Sequence, residues 1–183
     1  MNDLLRLDAT SLALIGHDVA TLTDADLDAP TPCTGWTVSD LIDHMDERHE
    51  AGIAPMLAPL DEHADDPRDG FARIAARWVV AMERAGDVVN TPFGVVTTEW
   101  LLSVHFVDML VHRWDLSRAV GKPCPVPDRL TALALPIARS TTAPGSPLNG
   151  PNGVYHPALE EDRSLPAMDN LAALLGRDPR WTR

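Results

Sequence analysis

The sequence predicts an all-α fold, an antiparallel four-helix bundle with short C-terminal helices and a long loop. Apolar residues recur at steps of three and four along four long stretches. Capping residues, Pro and Gly punctuate those stretches. No repeat of about 20–50 residues is visible, which separates a bundle from a solenoid.

The first helix is predicted by Leu4, Leu7, Ser11, Leu14, Ile15, Val19 and Leu22, which share one face. From Asp24 to Trp36 the chain holds Pro30, Pro32 and Gly35 and reads as a connecting loop. Thr37 then supplies an N-cap oxygen, with Asp40 three positions on, and a second helix is expected to about Met56. Phe71, Ile74, Ala75, Trp78, Val79 and Met82 repeat at helical spacing up to Gly86 and give the third. The β-branched residues of Val88 to Val96, around Pro92-Phe93-Gly94, predict a tight turn with a residue or two of extended chain.

Thr97 or Thr98 caps the fourth and longest helix, which Gly121 and Pro123 end. Asp128 is expected to cap a shorter helix to about Arg139, and Ser140 to Leu159 to form a long surface loop or lid. A last helical segment runs from Pro166 to Leu175 and stops at Gly176.

With 183 residues and 45% hydrophobic content, one domain is expected over 1–183, its core bundle about 3–121 and an extension about 122–183. A net charge of -12 and the lack of a Lys/Arg cluster argue against a nucleic-acid partner. No segment has the apolar length of a membrane span, and the N-terminus has no secretory pattern. Cys33 and Cys124 are too few and too far apart for a disulfide framework, so a cytoplasmic location is expected. Nucleophile-elbow, phosphate-loop, dinucleotide and His-Glu-x-x-His motifs are absent.

The fourth helix carries His105, Asp108, His112 and Asp115 at steps of three, four and three, one narrow stripe among Leu102, Phe106, Val107, Met109 and Leu110. Buried unpaired, such groups cost several kcal/mol, so partners are required. On the second helix Leu41, His44, Met45 and Arg48 share a face, whereas His49 does not share it and His63 lies beyond. Two imidazoles and a carboxylate, His44, Asp108 and His112, would make an open divalent-metal site. Asp108 and His112 would equally serve as an i,i+4 ion pair, and His44 as a hydrogen-bonded core residue. Cys33 reads as structural, with no basic residue adjoining it, and the five tryptophans as packing.

Four segments carry a resemblance: Thr-Pro-Cys-Thr-Gly-Trp-Thr-Val at 31–38, Asp-Leu-Ile-Asp-His-Met at 40–45, Val-His-Arg-Trp-Asp-Leu-Ser-Arg-Ala-Val-Gly at 111–121 and Leu-Leu-Gly-Arg-Asp-Pro-Arg-Trp at 174–181. They resemble the DinB-like superfamily, and within it the metal-binding N-terminal domain of mycothiol-dependent maleylpyruvate isomerase. The resemblance implies a four-helix bundle with His44, Asp108 and His112 as metal ligands. It also implies zinc, or nickel as the alternative, and a low-molecular-weight thiol such as mycothiol. Asp108 departs from the family's Glu by one methylene, and the segment after Gly121 stands where the isomerase has a further domain.

Residues and resemblance together imply a metal-dependent enzyme acting on a small molecule, an isomerase or transferase in which coordination ionises the thiol. The alternatives are a hydrolase using metal-activated water and a non-catalytic metal- or small-molecule-binding module. Asp115 and His105 would orient ligands or relay a proton, and Arg48 would grip a substrate carboxylate. A homodimer is the assembly considered.

Overall fold

The computed structural model describes residues 3–60, 64–91, 94–123, 125–149 and 153–183. Its elements are α1 (Asp3–Ala20), α2 (Asp24–Leu27), α3 (Val38–Ile53), α4 (Pro67–Arg84), β1 (Val88–Thr91), β2 (Gly94–Thr97), α5 (Thr98–Val120), α6 (Asp128–Thr141) and α7 (Ala167–Leu174). Helices α1, α3, α4 and α5 form the bundle; α1 packs on α4 and α5, and α3 packs on α4. No helix among the described residues is long and apolar enough to cross a membrane.

Local chemistry explains most boundaries. Thr37 and Asp40 form a reciprocal capping box at the start of α3, satisfying two otherwise orphaned donors. Thr97 accepts from the Trp100 amide to open α5, and Gly121 closes it with φ 67°, a conformation that favours glycine. Asp66 caps α4, with Pro67 in its first turn.

Three expectations change. The segment after Asp24 begins with a helical turn, α2, because Thr23 and Asp26 make a second capping box. Val88 to Val96 belongs to a real antiparallel hairpin, Val88 pairing with Thr97 and Thr91 with Gly94; its Pro92 and Phe93 lie outside the described residues. Asp128 is the first helical residue of α6 rather than its cap, Pro127 holding that position without a side-chain bond.

The hydrophobic interior has two clusters that share α5. One joins α5 to α1, α3 and α4 through Ile15, Leu41, Met45, Phe71, Trp78 and Met109. The other joins it to α6, α7 and the intervening loop through Phe106, Leu110, Trp114, Leu130, Tyr155 and Leu171. From Leu102 onward helix α5 is therefore enclosed on both sides, and the polar residues it buries there must find their partners inside. Of the tryptophans, Trp78 and Trp114 are buried, whereas Trp100 is 41% exposed and is no core residue.

Two glycines test the packing in opposite directions. A Cβ on Gly52 of α3 would lie 2.8 Å from the Trp78 ring, whereas one on Gly16 of α1 would make ordinary contact with Phe71 at 3.7 Å. Gly16→Ala is expected to raise stability by about 0.5–1 kcal/mol through helix propensity. Gly52→Ala should lower it by about 1–2 kcal/mol, because overpacking outweighs that gain. Urea unfolding of both variants reads the difference.

Candidate functional site

Helix α5 presents its polar stripe to two separate groups of partners. At the C-terminal end, His112 is 3% exposed and sits between two carboxylates. Its Nδ1 lies 3.2 Å from Asp115 Oδ2 and its Nε2 lies 3.4 Å from Asp108 Oδ2. Asp115 is fully buried and held as an anion: burial opposes ionisation, but Arg177 and His112 overcome it and keep its pKa below the ordinary value. Nδ1 must therefore donate to Asp115, which leaves Nε2 facing a second carboxylate. A bare lone pair there would repel Asp108, so the contact needs a positive centre. In the metal-free protein it is a proton: burial alone would depress the His112 pKa, but Asp108 and Asp115 raise it to about 9.

His44 completes the trio from α3. Its ring centroid stands 5.7 Å from that of His112, edge to face, and 4.7 Å from that of Trp36. Burial first, and the neighbouring His112 next, lower its pKa to about 4, so at neutral pH it offers a lone pair. The Trp36 contact comes from the 31–38 segment: Gly35 turns the chain with φ 82°, and Thr31 N–H donates to the Trp36 carbonyl at 2.9 Å.

The donor set suits a divalent cation. A separation of 3.4 Å between His112 Nε2 and Asp108 Oδ2 is close to the roughly 3.3 Å edge of a tetrahedron with zinc-type bond lengths. The hydrogen bond to Asp115 is the outer support that metal-binding histidines use. Even so, among the described residues no group of three or more His, Cys, Asp and Glu is set to hold a metal ion as it stands. Asp108 side-chain exposure of 22% leaves the trio open to solvent on that side.

The C-terminal extension reaches both carboxylates. Tyr155 donates its hydroxyl to Asp108 Oδ1 at 3.0 Å, and Arg177 donates to Asp115 Oδ2 at 3.0 Å. Arg177 also lies 3.7 Å from Cys33 Sγ, and Cys33 lies 3.6 Å from Asp115 Oδ2. The expectation that no basic residue adjoins Cys33 is therefore corrected: the neighbour comes from 144 positions along the chain. The structural reading of the thiol stands on other grounds, because burial and then Asp115 push it up to about 12.

The N-terminal end of the stripe belongs to a different network. His105 Nδ1 lies 2.5 Å from Asp8 Oδ1, its Nε2 lies 2.9 Å from His49 Nε2, and its ring stacks on Trp78 at 4.1 Å. Trp78 donates to the other oxygen of Asp8 at 2.9 Å, and His49 Nδ1 meets the Met45 carbonyl at 2.5 Å. A carbonyl only accepts, so His49 carries its proton on Nδ1 and receives one from His105 at Nε2. Both nitrogens of His105 are thus engaged inside the bundle. Burial, and then His105, lower the His49 pKa to about 3.

Of the six sequence candidates, the structure brings His44, Asp108, His112 and Asp115 together. His105 joins Asp8, His49 and Trp78 instead. Arg48 is exposed, and its charge reaches His44 closely enough to oppose protonation there. His49, set apart from the His44 face, is indeed elsewhere but is 1% exposed; His63 lies outside the described residues. Sequence reasoning missed Asp8, Tyr155 and the role of Arg177. Asp8 interrupts the buried series Leu5, Leu12, Ile15 and Val19, which was the available signal.

Comparison with known proteins places the chain in a family. Residues 10–117 match the mycothiol maleylpyruvate isomerase N-terminal domain. The chain belongs to that family. Two relatives from Mycobacterium tuberculosis, Uncharacterized protein MT0763 and Uncharacterized protein Rv0738, are each 29% identical over 161 residues, spanning 84% of this chain and 86% of their own. Among solved structures, a histidine-to-alanine mutant of mycothiol-dependent maleylpyruvate isomerase shares the fold with a TM-score of 0.57 and 18% identity. It aligns with 76% of this chain and 68% of its own.

Two measurements check the electrostatics. Because His49 is held neutral, its stabilising contribution is full above pH 6.5 and is lost as pH falls towards about 3. His112 has the opposite sign: its contribution is full below pH 6.5 and is lost as pH rises through about 9. Urea midpoints of the metal-free protein at pH 5, 6.5 and 9 should therefore peak near the middle, with His49→Gln making only the acid limb shallower. Separately, Cys33 should resist iodoacetamide at pH 7.5 in the folded protein and react once it is unfolded, as peptide mass spectrometry would show.

Proposed function

We propose that this chain is a metal-dependent enzyme acting on a small molecule through a low-molecular-weight thiol such as mycothiol, as an isomerase or transferase. The single observation that carries the reading is His112, whose Nδ1 is held by Asp115 while Nε2 and Asp108 Oδ2 converge at 3.4 Å on a place that demands positive charge. Family membership supports the thiol and the isomerase class. Residues 1–183 would work as one unit, in the cytoplasm.

In this reading His44, Asp108 and His112 hold the divalent cation, with zinc preferred over nickel for two imidazoles and a carboxylate. The cation supplies Lewis acidity, lowering the pKa of a thiol or water placed beside it. Asp115 fixes the His112 tautomer, and Arg177 keeps Asp115 charged. Arg48, exposed near His44, offers a fork for a substrate carboxylate. His105 would serve by fixing α1 and α3 against α5 rather than as a free base, since Asp8 and His49 take both of its nitrogens.

A binding module without catalysis is the second reading, favoured by the lack of a ready-made cage among the described residues. Protein purified without chelator or nickel resin should contain about one metal per chain by elemental analysis. His44→Ala and His112→Ala should abolish that occupancy, and His49→Gln should retain it. Mycothiol at about 100 times its Kd should then stabilise the metal-loaded form by about 2.7 kcal/mol and leave the metal-free form unmoved. Substoichiometric metal that added Zn²⁺ or Ni²⁺ fails to restore would defeat the enzyme reading and leave a small-molecule-binding module; stoichiometric metal without any thiol response would favour a metal-binding module or a hydrolase.

A further inference from the structure

Tyr155 reaches the trio from the long loop through its hydrogen bond to Asp108, and its backbone is fixed from several sides. Its amide donates to the Leu148 carbonyl at 2.9 Å, and it bridges Asn149. Gly153 comes so near Leu148 that a Cβ would sit 2.7 Å from the carbonyl, and Gly176, at φ 81°, comes equally near His156. Side chains at either glycine would push this segment away. Tyr155 is 3% exposed, and its hydroxyl is aimed at Asp108 as a hydrogen-bond donor.

Asp108 therefore has its oxygens divided. Oδ1 accepts from Tyr155 at 3.0 Å, while Oδ2 faces His112 Nε2 at 3.4 Å. A carboxylate can bind a cation through one oxygen or through both. Single-oxygen binding through Oδ2 leaves that hydrogen bond at full strength, whereas binding through both would make Oδ1 share its lone pairs between the cation and the Tyr155 hydroxyl and weaken it.

We propose, resting on the reading that His44, Asp108 and His112 hold a divalent cation, that Tyr155 is a positioning residue that restricts Asp108 to single-oxygen coordination and so keeps one coordination position free for an exogenous thiol. The C-terminal segment then does more than cover the bundle. It decides how many positions the protein fills.

The test uses the full chain loaded with Co²⁺, comparing wild type with Tyr155→Phe, and 2-mercaptoethanol as the thiol. In the variant, the visible d–d absorption should weaken as Asp108 turns to bind through both oxygens and coordination number rises. The sulfur-to-cobalt charge-transfer band should need at least about tenfold more thiol to reach half its amplitude, in line with the loss of an outer hydrogen bond. An unchanged spectrum with an unchanged thiol titration overturns the proposal while leaving the metal reading intact. Wild type that takes up no Co²⁺ overturns both. Should the variant fail to fold, X-ray absorption of the wild-type Zn²⁺ protein decides: a single-oxygen carboxylate supports the proposal, and a two-oxygen carboxylate sinks it.

Discussion

Asp115, with no exposed surface, is a negative charge in the middle of a helix that is buried on both sides. An isolated carboxylate there would be too costly to keep ionised. Arg177 and His112 supply the compensation, at 3.0 Å and 3.2 Å. Both partners impose constraints of their own. Arg177 must be carried to that depth, so the chain beyond α7 turns at Gly176 and folds against His156. His112 must donate from Nδ1, so its Nε2 faces Asp108. Breaking such a buried pair by removing one partner costs about 3–5 kcal/mol, because the other charge is stranded.

The same helix is tied down around that hub by polar contacts of its neighbours. Arg113 bonds Asp18 of α1 at 2.5 Å and the Pro125 carbonyl at 2.8 Å. Trp114 and Arg118 both donate to Asp169 of α7, at 2.7 Å and 2.8 Å. Residues 113–115 thus reach α1, α7 and the connecting segments in three consecutive positions, which fixes the rotation of α5 about its own axis. That rotation sets where His112 and Asp108 point, so the precision of the site comes from contacts outside it.

Helical periodicity made the bundle and the α5 stripe legible, because a repeat of 3.6 residues places His105, Asp108, His112 and Asp115 on one face whatever lies opposite. It could not show that the stripe divides. His105 faces Asp8, 97 positions away, and Asp115 faces Arg177, 62 positions away; such partners are set by tertiary packing. On α3 the sequence favoured Arg48, one turn beyond His44, yet the buried series runs Val38, Ile42, Met45, His49 and Gly52. A histidine inside that three-and-four series was the stronger sign of an interior partner. Tyr155 had no comparable signal, since a loop carries no periodicity.

The two halves of the stripe differ in their balance of charge, and this separates their roles. In the Asp8, His105 and His49 network, three hydrogen bonds need three protons: one on His49 Nδ1, one between the two Nε2 atoms, and one between His105 Nδ1 and Asp8. Counted against one carboxylate and two imidazoles, the network is then neutral and closed, with nothing left to attract a ligand. Around His112 two carboxylates and one guanidinium leave a net negative charge that only a cation can cancel. The proton on His112 fills that need in the metal-free protein. Under the proposed reading a divalent ion would have to displace it, with His44 already neutral and Asp108 already ionised, so uptake should release close to one proton at neutral pH. The charge balance therefore leaves the Asp108–Asp115 half of the helix as the half that can take a ligand under the proposed reading, and the His105 half as the one closed on itself.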